Sequence, residues 1–147
     1  VYTAPAAGPG LTAALLRDGA SGVSYCSSGA NSTGCAATIR SSGSASLASN
    51  DLTLSATCVP DGVFLFFHGT QQVQLPFGNG SVCVGGNTSR VLPVGFASGG
   101  LARVTVDLPA VGITSPGLHN FQCWFRDPAA SGAGFDTSDA IAIPFLP

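Results

Sequence analysis

The sequence predicts an all-β fold: a two-sheet β-sandwich, Ig-like or jelly-roll-like, with an extended N-terminal arm. Three observations carry the prediction. From Gly22 onward, short apolar or alternating runs are split by Gly, Pro, Asn, Asp and Ser at intervals of about 8–12 residues, the spacing of sandwiches and barrels. No segment beyond residue 20 repeats with a helical period. Finally, Leu118 to Asp127 holds the only tryptophan and alternates Phe121, Cys123 and Phe125 against Gln122, Trp124 and Arg126. Large apolar groups on both faces suit a central strand covered on both sides, and Asp127-Pro128 ends it because proline has no N–H to donate.

Residues 1–22 stand apart from the sandwich domain, residues 23–147. Pro5, Gly8, Pro9 and Gly10 interrupt pairing after Val1 and Tyr2, and Leu11, Leu15 and Leu16 offer an apolar edge. The arm either lies on its own domain or is donated to a neighbouring subunit by β-strand addition. Val23 to Cys26 reads as the first strand and Ser27 to Gly34 as a polar loop. Ala36 to Arg40 and Ser44 to Ala48 follow, split by a Ser-Ser-Gly turn. Asp51 to Cys58 alternates, with Leu52, Leu54 and Ala56 inward and Thr53, Ser55 and Thr57 outward. Pro60-Asp61-Gly62 is a turn, since proline presets φ and glycine accepts a positive one. Val63 to His68 is a buried strand. Gln71 to Phe77 alternates and turns back through Gly78-Asn79-Gly80. Val82 to Val84, Arg90 to Val94, Leu101 to Leu108, the central run and Ala140 to Phe145 complete the set.

Composition bounds the function. The 147 residues suffice for one domain with a sizeable core. Only 8% are charged, against roughly 25% in an average soluble protein. Lysine and glutamate are absent, leaving five arginines and seven aspartates with a net charge of −2. That excludes the basic footprint of a nucleic-acid binder, and no apolar run approaches the about 18–20 residues of a membrane span. A chain beginning at Val1 without a signal peptide reads as mature and processed. Five cysteines without a C-x-x-C pair favour disulfides over zinc, and so an oxidising, extracellular compartment. Asn31, Asn79 and Asn87 open N-x-[ST] triplets and are candidate glycosylation sites. A surface so poor in ions is kept in solution by glycans or by burial in an assembly.

The catalytic inventory is thin. Only His68 and His119 could serve as a general base; both flank predicted strands, and neither lies near a Gly-x-Ser-x-Gly elbow. Asp127, Asp136 and Asp139 fall in one predicted loop, where Asx-turns are the ordinary role and a calcium cradle the alternative. Arg126 beside Asp127 reads as an ion pair at a strand end. Phe64, Phe66 and Phe67 near Trp124 are expected in the core, with an exposed sugar-stacking platform as the alternative. No enzyme activity and no cofactor or metal is expected.

Several runs together carry a resemblance: Tyr25-Cys26 with Asn31-Ser-Thr-Gly34, Asn50-Asp-Leu-Thr-Leu-Ser-Ala56, Gln71-Gln-Val-Gln-Leu-Pro-Phe-Gly-Asn-Gly80, Cys83-Val-Gly-Gly86, Asn120-Phe-Gln-Cys-Trp-Phe-Arg-Asp-Pro128 and Gly134-Phe-Asp-Thr-Ser-Asp-Ala140. From about Val23 to the C-terminus the chain resembles the C-terminal β-rich domain of uncharacterised secreted, cell-surface proteins of planctomycete-type bacteria. The resemblance implies secretion and a β-rich domain at the cell surface, and no catalytic residues. It leaves residues 1–22 uncovered, and Cys35, Cys58 and Cys123 depart from its pattern. It also implies a Cys26–Cys83 disulfide. Strand spacing permits Cys58–Cys123, leaving Cys35 as a free or intermolecular thiol; Cys26–Cys35 is the alternative. The expected function is a secreted structural subunit that polymerises with copies of itself by head-to-tail contacts, or else a monomeric cell-surface binding module, carbohydrate among its ligands.

Overall fold

The computed structural model describes residues 22–147. The arm residues Val1, Tyr2, Leu11, Leu15 and Leu16 lie outside the described residues. Ten strands follow in order: β1 (Val23–Tyr25), β2 (Thr38–Ser42), β3 (Thr53–Thr57), β4 (Gly62–Gly69), β5 (Gln71–Phe77), β6 (Gly80–Gly85), β7 (Ser89–Ala97), β8 (Leu101–Thr105), β9 (Gly117–Arg126) and β10 (Phe135–Phe145). They form three open sheets, ordered β1-β10-β9-β4-β7, β2-β3-β8 and β5-β6. Every strand pairing is antiparallel. The tryptophan-bearing strand β9 is the middle one of five.

One face of the large sheet and the inner face of β2-β3-β8 share an apolar cluster. Leu54 and Ala56 from β3 meet Phe66, Phe121, Phe125 and Ile143 there, all fully buried. Leu52, Leu54 and Ala56 alternate inward as their sequence requires. The hairpin β5-β6 covers the other face of the large sheet, where Cys83, Val84 and Ala140 form a second, smaller cluster. Its two-residue loop places Gly78 at φ 61°, the positive φ that the first position of a type II′ turn demands.

Two expectations for the strands change. Ser44 to Ala48 is a turn, with a single bridge from Ser46 to Leu146. The Ser44 hydroxyl donates to Asp51 and the Ser46 hydroxyl accepts from the Ser49 amide, local bonds that compete with a strand ladder. The predicted loop from Asp127 to Asp139 is instead strand from Phe135 on, and Phe135 sits against Trp124 at 5.7 Å between ring centres.

A bulge in β10 ties the layers together. Ser138 and Asp139 lie opposite the single residue Cys123, the count that defines a bulge. The Cys123 amide therefore donates to the Ser138 hydroxyl, 3.0 Å away, instead of to a carbonyl. The freed Ser138 carbonyl accepts from Gln122 Nε2 at 2.7 Å, and that same nitrogen donates to Ser81 of the hairpin. Gln122 Oε1 accepts from the Cys83 amide at 2.9 Å. On the other side, the Asp139 carboxylate accepts the Ile39 amide of β2 at 2.8 Å, and the Asp139 amide donates to Ala37. Gln122 is 0% exposed, so each of its amide atoms must find a partner inside the protein.

The disulfides join Cys26 to Cys83 and Cys35 to Cys58, with Cα atoms 6.4 and 5.9 Å apart. This corrects Cys58–Cys123, the Cys26–Cys35 alternative and the unpaired Cys35. Cys58 lies one residue past β3 with φ 60° and turns out of the sheet toward the 31–35 loop. The Asn31 side-chain amide donates to the Cys58 carbonyl at 2.7 Å and holds it there. Cys123 is the free cysteine, on the core face of a strand paired on both sides. Burial pushes its thiol well above the ordinary range.

Gln122→Leu keeps the volume but strands the Cys83 amide and the Ser138 carbonyl, while Ser81 keeps its bond from Thr137. The expected loss is about 3 kcal/mol, at ~1–3 kcal/mol for each orphaned buried group. Urea unfolding of the two proteins under matched conditions reads it directly.

Candidate functional site

Alternation along the strands builds a cleft on the outer face of the large sheet. Phe64 and Phe66 point into the core, so Leu65 and Phe67 of β4 must point out. Trp124 of β9, paired with Leu65, points the same way. The hairpin arches over them with Phe77, Val82 and Val84, and Thr88 with Ser89 and Arg90 at the start of β7 closes the rim. The cleft, open to solvent, has a volume of about 540 Å³, within the usual range for a ligand cleft. Phe135 buttresses it, 5.1 Å from Phe77 and 5.7 Å from Trp124 between ring centres.

The hairpin is held over the sheet by several independent bonds. Besides Cys26–Cys83 and Gln122, the Tyr25 hydroxyl donates to the Cys83 carbonyl at 2.8 Å; burial pushes that phenol up to about 12. Gln72 donates to Asn120 at 3.1 Å, and Asn120 donates to the Gly69 carbonyl. At the tip, Asn79 donates to the Ser131 carbonyl and accepts the Ala133 amide.

Of the four aromatic residues singled out in the sequence, Phe67 and Trp124 line the cleft. Phe64 and Phe66 lie in the core, edge to face at 5.7 Å. Leu65, Phe77, Val82, Val84 and Arg90 escape sequence reasoning, because the fold of the hairpin over β4 and β9 brings them together. Among the described residues Arg90 is the one charged lining residue, and these residues offer shape, aromatic faces and a polar rim without an acid–base pair. Next to the cleft, strand β7 exposes Phe96 at 78% and Leu92 at 65%.

The remaining candidate residues lie elsewhere. Asp127 is fully buried and accepts the hydroxyl and the amide of Ser32. It does not pair with Arg126, because it faces inward while Arg126 faces solvent. Burial, and then the charge of Asp127, raises the pKa of Asp136. Burial likewise raises that of Asp139, against the pull of the Ile39 amide and Arg40. The three aspartates therefore serve separate backbone contacts. Among the described residues, no group of three or more His, Cys, Asp or Glu side chains converges.

The glycosylation triplets also separate. Asn31 is corrected: it is 8% exposed, and the side-chain nitrogen a glycan would need donates to Cys58. Asn79 is spent on the 131–133 loop, and Asn87 stands exposed beside the cleft rim. His68 and His119 lie on the core face, the opposite side of the sheet from the cleft, with ring centres 6.1 Å apart.

Against known protein families, curated proteins and solved structures, the chain has no significant match in any of the three comparisons.

The histidines set a pH dependence. Burial first, and then the charge of His119, holds His68 below its ordinary value of 6.5; burial alone lowers His119. The folded state therefore binds protons more weakly than the unfolded chain, and stability drops as pH falls below about 6.5. The raised values of Asp136 and Asp139 act in the opposite sense, nearer pH 4. The urea midpoint should be level between about pH 7 and 8, below the range where the raised Cys123 and Tyr25 groups come into play, and decline from about pH 6.5 to 5, and His68→Phe should flatten that decline.

Proposed function

We propose that the chain is a secreted structural protein, the subunit of an extracellular filament or surface assembly built by head-to-tail contacts. One observation carries this reading. An apolar cleft walled by Phe67, Phe77 and Trp124 opens beside exposed Leu92 and Phe96, on a chain with only 8% charged residues. Apolar patches of this kind mark binding surfaces. A cleft on one side of a subunit, filled by a segment from elsewhere on the next, makes a contact that does not close on itself and so builds fibres. The N-terminal segment, with Leu11, Leu15 and Leu16, is the proposed insert.

Two disulfides suit an oxidising, extracellular setting, and among the described residues no helix is long and apolar enough to cross a membrane. We read the architecture as an Ig-like sandwich rather than a jelly roll. The order β2-β3-β8 against β10-β9-β4-β7 parallels strands A-B-E and G-F-C-C′ of that fold, with β5-β6 inserted between C and C′. Pro93 and the register shift opposite Leu65 blunt the β7 edge. Side chains in the cleft therefore carry the contact, in preference to an extended ladder at that edge.

The second reading, a monomeric surface module that binds carbohydrate, is favoured by the aromatic walls together with the polar rim of Thr88, Ser89 and Arg90.

Light scattering across a concentration series separates the two. Assembly predicts polymers of the whole chain that fall to monomers on deletion of residues 1–20 or in Trp124→Ala. Persistent polymers in the deletion variant overturn the proposed insert. A monomer at every concentration, with saturable quenching of Trp124 by a soluble glycan, replaces assembly with sugar binding.

A further inference from the structure

At one end of the core, on β4 and β9, lie buried polar atoms that the rest of the fold leaves unexplained. Among the described residues, both ring nitrogens of His68 and Nδ1 of His119 are buried without a hydrogen-bond partner of ordinary geometry. His68 is 6% exposed and His119 half-buried. Nearly all buried side-chain polar atoms in folded proteins are paired; the Val111 backbone can serve one nitrogen of His68, which leaves one buried nitrogen on each ring calling for a partner.

We propose that His68 and His119 form a two-coordinate site for a monovalent soft cation, of the copper(I) or silver(I) class. The site is independent of the assembly reading, because it occupies the other face of the sheet.

The geometry suits such an ion. Metal–imidazole bonds are about 2 Å long, and each nitrogen lies about 1 Å from its ring centre. A metal in line between two imidazoles sets the ring centres about 6 Å apart, and the 6.1 Å spacing here, with the ring planes at 59°, leaves room for one ion. The rings are held in place: His68 packs on Phe121 at 5.7 Å, His119 on Phe145 at 5.8 Å, and the two phenylalanines on each other at 6.2 Å. The backbone of Val111 lies within reach of His68, the kind of outer contact that orients a ligating ring. Burial keeps both imidazoles neutral near pH 7, so their lone pairs are available.

Charge selects the class of ion. A dication held by two neutral ligands in an apolar niche would stay uncompensated, and zinc takes four ligands where this niche offers two. A monocation with an affinity for imidazole has the smaller desolvation penalty.

Silver(I), a redox-inert probe, is titrated calorimetrically into the whole, disulfide-intact protein, with parallel histidine side-chain nitrogen spectra. The expected result is one equivalent bound, with shifts in both imidazoles. Affinity should drop at least tenfold in His119→Gln, a half-buried position that should tolerate the change, and be retained in Cys123→Ser. The unmodified protein's own spectra serve as a test that requires no variant. Absence of stoichiometric binding overturns the site in favour of a bridging water. Binding that survives His119→Gln or disappears in Cys123→Ser overturns it in favour of the thiol.

Discussion

The bulge at Ser138 and Asp139 is the constraint on which the three sheets depend. One extra residue in β10 would ordinarily leave an amide and a carbonyl without partners in a dry interior. Here each unpaired group is put to use. The Ser138 hydroxyl stands in for a carbonyl toward Cys123, the Ser138 carbonyl goes to Gln122, and the Asp139 carboxylate reaches across to the Ile39 amide. The irregularity thus links the hairpin on one face and the small sheet on the other through the same strand. Backbone groups in low dielectric must be satisfied, and the side chains at these positions satisfy them in this arrangement.

The disulfides reinforce the same plan. Cys26–Cys83 ties the hairpin to the first strand, and Cys35–Cys58 ties the polar loop to the end of β3. Each closes its loop outside the main core, where apolar contacts are few and a covalent restraint on the unfolded chain counts most. Cys123 behaves as a small apolar side chain. The cleft exists because the hairpin is pinned at several points and yet stands away from Leu65, Phe67 and Trp124.

That cleft makes sense of the composition. A chain with so few ions has little means of hydrating a large apolar opening, and covering it with a neighbouring subunit removes the problem. Phe96 and Leu92 next to the opening extend the surface that a neighbour would cover. The alternative, a sugar lying on the aromatic walls, covers less area and leans on the rim of Thr88, Ser89 and Arg90. Neither reading requires ionisable groups in the opening, and among the described residues Arg90 is the only one there.

Much of the fold was legible in the chain itself. Strict alternation put Leu52, Leu54 and Ala56 inward, because a period of two leaves a half-buried strand no other choice, and set Phe121, Cys123 and Phe125 together on one face of β9. The same alternation showed that β9 would be covered on both faces. Turn residues announced Pro60 to Gly62 and Gly78 to Gly80. Ser44 to Ala48 misled, since serine hydroxyls satisfy the local backbone as well as a ladder would. Pattern alone also could not say that Cys58 turns away from Cys123, that Asn31 is buried, or that Phe67 and Trp124 share a cleft while Phe64 and Phe66 do not. Those facts depend on how sheets stack and where a hairpin folds back. Such contacts join residues 20 to 100 positions apart, and local periodicity carries no information about which distant surfaces meet.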